Sequence, residues 1–148
     1  MSFWESLRIG TSGLTAQRLR LDLISNNIAN AQTTRTENGG PYQRQDVVFV
    51  PDEKGSFVDR LTAARSADIN NLRGGVKVAE VITDTAPGSQ IYDPTHPDAD
   101  ENGIVSYPNV DITVEMTNML SATRSYEANL ATIEAVKRMA LKALEIGR

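Results

Sequence analysis

Cysteine is absent from the chain, which removes thiolate nucleophiles, disulfide frameworks and cysteine-ligated zinc together. One histidine, His96, leaves almost no two-histidine metal site to build. Aromatic side chains are few: Trp4, three Phe and four Tyr offer little stacking surface for single-stranded nucleic acid, and a net charge of -4 disfavours a polyanion. No run approaches the roughly 18 apolar residues of a membrane helix. Glu5 and Arg8 interrupt the stretch where a secretory signal needs an unbroken apolar region, so neither a Sec signal nor a span is expected. Export systems that read an uncleaved N-terminus stay compatible with this composition.

What is there suits one folded unit: 148 residues, 40% apolar and 23% charged. Charge is uneven, with nets of +2, -7 and +1 over residues 1–45, 46–111 and 112–148. Proline and glycine divide the chain at similar places. Residues 14–38 and 109–146 hold neither, whereas 39–108 hold all six prolines and seven of the ten glycines. The pattern predicts an α+β fold. Long N- and C-terminal helices form an antiparallel coiled-coil-like pair around a small irregular, β-rich middle, divided as 1–33, 34–108 and 109–148.

Ser2 and Glu5 have capping-box spacing for a first helix. Leu7, Leu14, Leu21 and Ile28 recur every seven residues, with Ile24 and Ala31 on a second row. Gly10 and Gly13, at about 1.0 kcal/mol each, weaken the first turns enough to let residues 3–13 fray or bend, so the sequence leaves the continuity of this helix open. In the second helix Ile112, Met119, Tyr126, Ile133 and Ala140 share one row. Ala122, Val136 and Ala143 share the next, Met116, Leu130 and Leu144 a third, and Gly147 suits the stop. Leu14, Leu21, Ile24 and Ile28 are expected to meet Met119, Tyr126, Ile133 and Val136. A helix over 109–146 would be about 57 Å long, against a radius of gyration of about 15 Å for a compact chain of this size. Part of its apolar stripe is then left for other subunits.

In the middle, Asp46–Val50 before Pro51, Phe57-Val58, and Val76–Ile82 after Gly74-Gly75 read as strands. Prolines 87, 94, 97 and 108 predict a loop or extended arm from Ala86 to Pro108.

The candidate chemistry is sparse. Asp98, Asp100, Asn102 and Gly103 match the opening of a calcium loop, but the twelfth position is Asn109 rather than glutamate, and Pro94 and Pro97 occupy the place of the entering helix. A calcium-responsive module built on 98–109 is the alternative reading, beside a hydrogen-bonded turn. Asp93, Asp98, Asp100, Glu101 and Asp111 are plentiful acids with no spacing that pairs them, so no catalytic residue is expected. Gly39-Gly40-Pro41 and Gly74-Gly75 lack the context of a phosphate cradle and read as turns. Asn26, Asn27 and Asn30 end the first apolar seam, and Asn129 lies on an inner row of the second helix. Buried, such residues fix register; alternatively Asn30 caps the helix and the others face water.

The run Ser25-Asn-Asn-Ile-Ala-Asn30-Ala-Gln-Thr33-Thr34 resembles the N-terminal signature of bacterial flagellar basal-body rod proteins. Four further stretches are similar to the family's proximal-rod branch. They are Gly39-Gly-Pro-Tyr-Gln-Arg-Gln45, Tyr92–Asp100 running on to Gly103–Val110, Glu115-Met-Thr-Asn-Met119, and Arg124-Ser-Tyr-Glu-Ala-Asn129. The resemblance implies a structural subunit of a helical tube crossing the periplasm, with paired terminal helices as the inner coiled-coil layer and the middle outside. It implies as partners other rod proteins, copies of this chain and the flagellar type III export apparatus, with no cleaved signal. Nucleic acid, small-molecule substrate, cofactor and metal are not implied. Thr34–Pro41 is longer than the corresponding ending in rod and hook relatives and fits the proximal-rod branch.

Overall fold

With no proline and only two glycines before Gly39, the N-terminal stretch forms α1, Phe3–Ala29, in the computed structural model, which describes residues 3–37, 39–52 and 74–146. Ser2, Phe57-Val58 and Gly147 lie outside the described residues. The sequence leaves open whether the helix runs through Gly10 and Gly13; in the structure α1 is continuous through both. A Cβ on Gly10 would come 2.7 Å from Ile133 Cγ1, and one on Gly13 2.9 Å from Asn129 Nδ2. Close helix packing thus outweighs a propensity cost of about 1.0 kcal/mol per glycine.

The second helix, α2, spans Ile112–Ile146. It begins three residues later than the composition suggested, because Asp111 caps it. The Asp111 carboxylate accepts the amides of Thr113 (2.8 Å) and Val114 (3.3 Å), and its carbonyl accepts that of Glu115 (2.9 Å). The two helices pair antiparallel: Gly10 abuts Ile133, Gly13 abuts Asn129, and Asn27 bonds Glu115. At 1.5 Å per residue α1 is about 40 Å long and α2 about 52 Å, so in this register the last turn and a half of α2 runs past the start of α1.

The middle contributes two hairpins. Strands β1 (Gln45–Pro51) and β2 (Val76–Thr83) pair antiparallel from Gln45↔Thr83 to Pro51↔Val76, with a register shift at Val48/Phe49 that leaves Ala79 as a bulge. The ladder lies along α1. The backbone of Gln45 bonds Asn27 at one end, and the Val76 amide donates to Ser12 Oγ (3.1 Å) at the other. From Ser12 to Asn27 a helix rises about 22 Å, the length of a seven-residue strand. Helix α1 therefore carries both partners on adjoining faces, α2 along Gly10 and Gly13 and the β1–β2 ladder along Ile9 and Ser12. Its third face, with Arg8, Thr11, Arg18, Asp22 and Ser25, is exposed. Among the described elements α2 touches only α1.

The loop expected over Ala86–Pro108 instead contains a short hairpin, β3 (Gln90–Tyr92) with β4 (Ile104–Ser106). Prolines 87, 94, 97 and 108 all fall outside the paired residues, so they limit the strands without breaking the ladder. Between the strands, Asp93 accepts the amide and hydroxyl of Thr95 (3.0 and 2.7 Å), and Asp100 accepts the amides of Ile104 (2.8 Å) and Asn102 (2.9 Å). These bonds hold both carboxyls below their ordinary range, chiefly the Thr95 hydroxyl for Asp93 and the Ile104 amide for Asp100. Asp98 accepts from Thr34 Oγ1 (2.7 Å), and Asn109 donates to Asp84 (3.3 Å). Within the calcium-like stretch Asp100 thus serves as a turn acceptor, Asp98 is tied to Thr34, and the twelfth residue is engaged with Asp84.

Gly88 tests the hairpin's base. A Cβ there would lie 2.0 Å from the Tyr107 carbonyl oxygen and 2.6 Å from Pro108 C, main-chain atoms that no rotamer change can move. Gly88→Ala should cost about 3 kcal/mol, read as a lowered urea midpoint at unchanged slope. A wild-type midpoint would mean that the two segments separate freely.

Candidate functional site

The apolar core among the described residues is thin: Ala16, Leu23, Ile24, Val105 and Ala122 are buried. Beside it, where the helix pair meets the start of β1, lies a buried polar junction. Asn27 is 0% exposed and Glu115 1%. The Asn27 carboxamide uses its full bonding capacity: Nδ2 donates to the Gln45 carbonyl (2.8 Å) and Glu115 Oε2 (3.1 Å), while Oδ1 accepts the Gln45 amide (2.9 Å) and the Tyr42 hydroxyl (3.0 Å). Glu115 Oε1 accepts from Arg44 Nε (2.9 Å), and Arg44 Nη2 reaches Asp46 (3.3 Å).

Position follows from local structure. Asn27 sits in the last turn of α1 and Glu115 in the first turn of α2. The residues leaving the Gly39-Gly40 turn, both at positive φ (76° and 86°), bring Tyr42 to Gln45 between them. Burial, then the Glu115 charge, push the Tyr42 phenol above its ordinary pKa. Burial pulls the Arg44 guanidinium down, but the bond and charge of Glu115, with Asp46, push it further up, so it is a full cation. Such an ion pair adds little net stability, yet removal of either partner strands the other.

The expected helix-pairing residues divide by burial. Ile24 is buried; Leu14, Leu21 and Ile28 are half-buried on α1, as are Met119, Tyr126, Ile133 and Val136 on α2. Of the asparagines, Asn27 is in the junction and Asn129 is half-buried against Gly13, whereas Asn26 is exposed. Asn30 closes α1, its amide (3.0 Å) and Nδ2 (2.9 Å) donating to the Asn26 carbonyl, and its Oδ1 accepting from Thr33 (3.2 Å). Sequence reasoning missed Ala16, Leu23, Tyr42, Arg44 and Glu115 as site residues. For Glu115 a signal existed: it lies seven residues before Ala122 on the row of Asn129 and Val136, an acid in an apolar stripe.

The outer face of α2 is apolar and uncovered by the described residues. Met116, Leu120, Leu130, Leu141 and Leu144 are exposed along one flank, and Met139 is exposed on the opposite flank. At the same end as Leu144, Phe3 and Trp4 are exposed as an edge-on ring pair with centroids 5.5 Å apart. This surface can bury against another helix; no cluster of His, Asp or Glu suited to a metal occurs among the described residues.

Comparison with known proteins agrees with this architecture. A family model described as flagella basal body rod protein matches residues 7–35, and one described as flagellar basal body rod FlgEFG protein C-terminal matches 101–146. Asn27 falls in the first and Glu115 in the second. The flagellar basal-body rod protein FlgC of Borreliella burgdorferi is 44% identical over 99% of this chain and 98% of its own. FlgC of Bacillus subtilis is 42% identical over 100% of both chains, and that of Salmonella typhimurium 41% over 95% of this chain and 94% of its own. With two long terminal helices around a small β middle and relatives matched over nearly their full length, the chain belongs to the FlgC family of flagellar basal-body rod proteins, as a structural rod subunit.

Proposed function

We propose that the chain polymerises with other rod proteins through the outer face of α2, forming the inner layer of a torque-transmitting proximal rod. The observation that carries this reading is the exposed apolar flank of Met116, Leu120, Leu130, Leu141 and Leu144. Its burial, at roughly 1.5–3 kcal/mol per large side chain, would offset the entropy of ordering a subunit. Within a subunit, Leu14, Leu21, Ile24 and Ile28 pair with Met119, Tyr126, Ile133 and Val136. Asn27 and Asn129 set their register, and Asn26 and Asn30 are assigned to neighbour contacts. The role is non-catalytic, the site is the periplasmic part of the basal body, and delivery is by the flagellar type III export apparatus without a cleaved signal. These last assignments rest on family membership.

A photo-crosslinking side chain at Leu120 or Leu144 in cells building flagella should give adducts with neighbouring rod subunits in purified basal bodies. Adducts absent from both positions, with the protein incorporated, would remove the assignment of this face.

A further inference from the structure

The buried junction draws on three segments far apart in the chain. Asn27 ends α1, Tyr42 to Gln45 lead into β1, and Glu115 begins α2, 88 residues after Asn27. No two of them make a satisfied site. Docking α2 on α1 alone would leave the Glu115 charge facing only amide donors, Asn27 Nδ2 and Asn118 Nδ2 (3.4 Å), without the Arg44 cation. Seating β1 on α1 alone leaves Arg44 Nε and one Asn27 donor without their acceptor, with Arg44 held by Asp46 alone. A buried group left unsatisfied loses its water without repayment. Partial docking is therefore penalised, while complete docking satisfies all four bonding positions of Asn27 and both Glu115 oxygens.

We propose that the Asn27–Arg44–Glu115 junction is an all-or-none latch: the β1–β2 ladder and the base of the helix pair seat on α1 together or not at all. The ladder cannot bring independence of its own, since a lone two-stranded hairpin is marginal in water and both strands rest on α1. The middle thus takes its final place only once the start of α2 is present. The latch belongs to the isolated subunit and stands apart from the assembly reading.

Hydrogen exchange with mass spectrometry on the full-length chain tests it. In the wild type, amides of 45–51, 20–29 and 115–122 should open as one unit. Glu115→Ala should speed exchange in all three by a common factor of more than about a hundredfold. Tyr42→Phe, a milder change that touches only Asn27 from the β1 side, should speed residues 115–118 along with 45–47 by a common factor of about fivefold. Ile133→Ala should act only at the far end of the helix pair. If Tyr42→Phe leaves 115–118 at the wild-type rate while 42–47 accelerate, the segments dock independently and the latch is overturned. It is equally overturned if Glu115→Ala releases α2 and leaves β1 protected. Should Glu115→Ala fail to fold, Tyr42→Phe decides alone.

Discussion

Replacing Glu115 by alanine should lower the stability of the isolated chain by about 3–5 kcal/mol. The loss arises from what stays behind. Arg44 keeps its charge in a partly covered site with only the longer Asp46 contact (3.3 Å), and Asn27 Nδ2 loses an acceptor where the residue is 0% exposed. Glu115→Gln keeps the volume and one acceptor, so its cost should be nearer 1.5–3 kcal/mol, roughly the value of a charged hydrogen bond. With a urea slope of about 1–3 kcal/mol per molar, the alanine variant's midpoint should fall by more than about 1 M. A shift too small to resolve would show that water enters the junction and screens the pair.

The second large effect concerns motility rather than folding. Leu120→Asp combined with Leu141→Asp places two charges on the uncovered face of α2, where both side chains are already exposed. The isolated chain should keep its stability within about 0.5 kcal/mol, as surface changes usually do. Swimming should nevertheless be abolished, because each carboxylate would have to be desolvated opposite an apolar neighbour. Thermal melts of the purified chain and swarm-plate diameters separate the two readouts. Normal swimming with the double variant in the basal body would move the subunit contacts to another face.

Much of the architecture is legible in the sequence because it is written in local terms. The glycine- and proline-free stretches mark both helices. Val76–Ile82 and Asp46–Val50 carry enough β-branched residues to announce a pair of strands. The failures are equally physical. The β3 and β4 strands are three residues each, too short for any alternation, and sit among prolines that dominate a local reading. Gly10 and Gly13 look like helix breakers until Ile133 and Asn129 are seen against them. Asn27 stands out in the sequence, yet its bonds to Tyr42, Gln45 and Glu115 are tertiary. Nothing local links Arg44 to an acid 71 positions away.

The layering of the molecule divides its two helices between different histories. Helix α1 packs against α2 and the β1–β2 ladder on adjoining faces, so a substitution on those faces answers mainly to residues encoded in the same gene. The outer rows of α2 answer to whatever surface a neighbour presents. Changes on α1 should be compensated within this chain, at positions such as Ile133 or Asn129. Changes on Leu120 or Leu141 should be compensated in other genes, so suppressor genetics would read the boundary between subunit and assembly along a single helix pair.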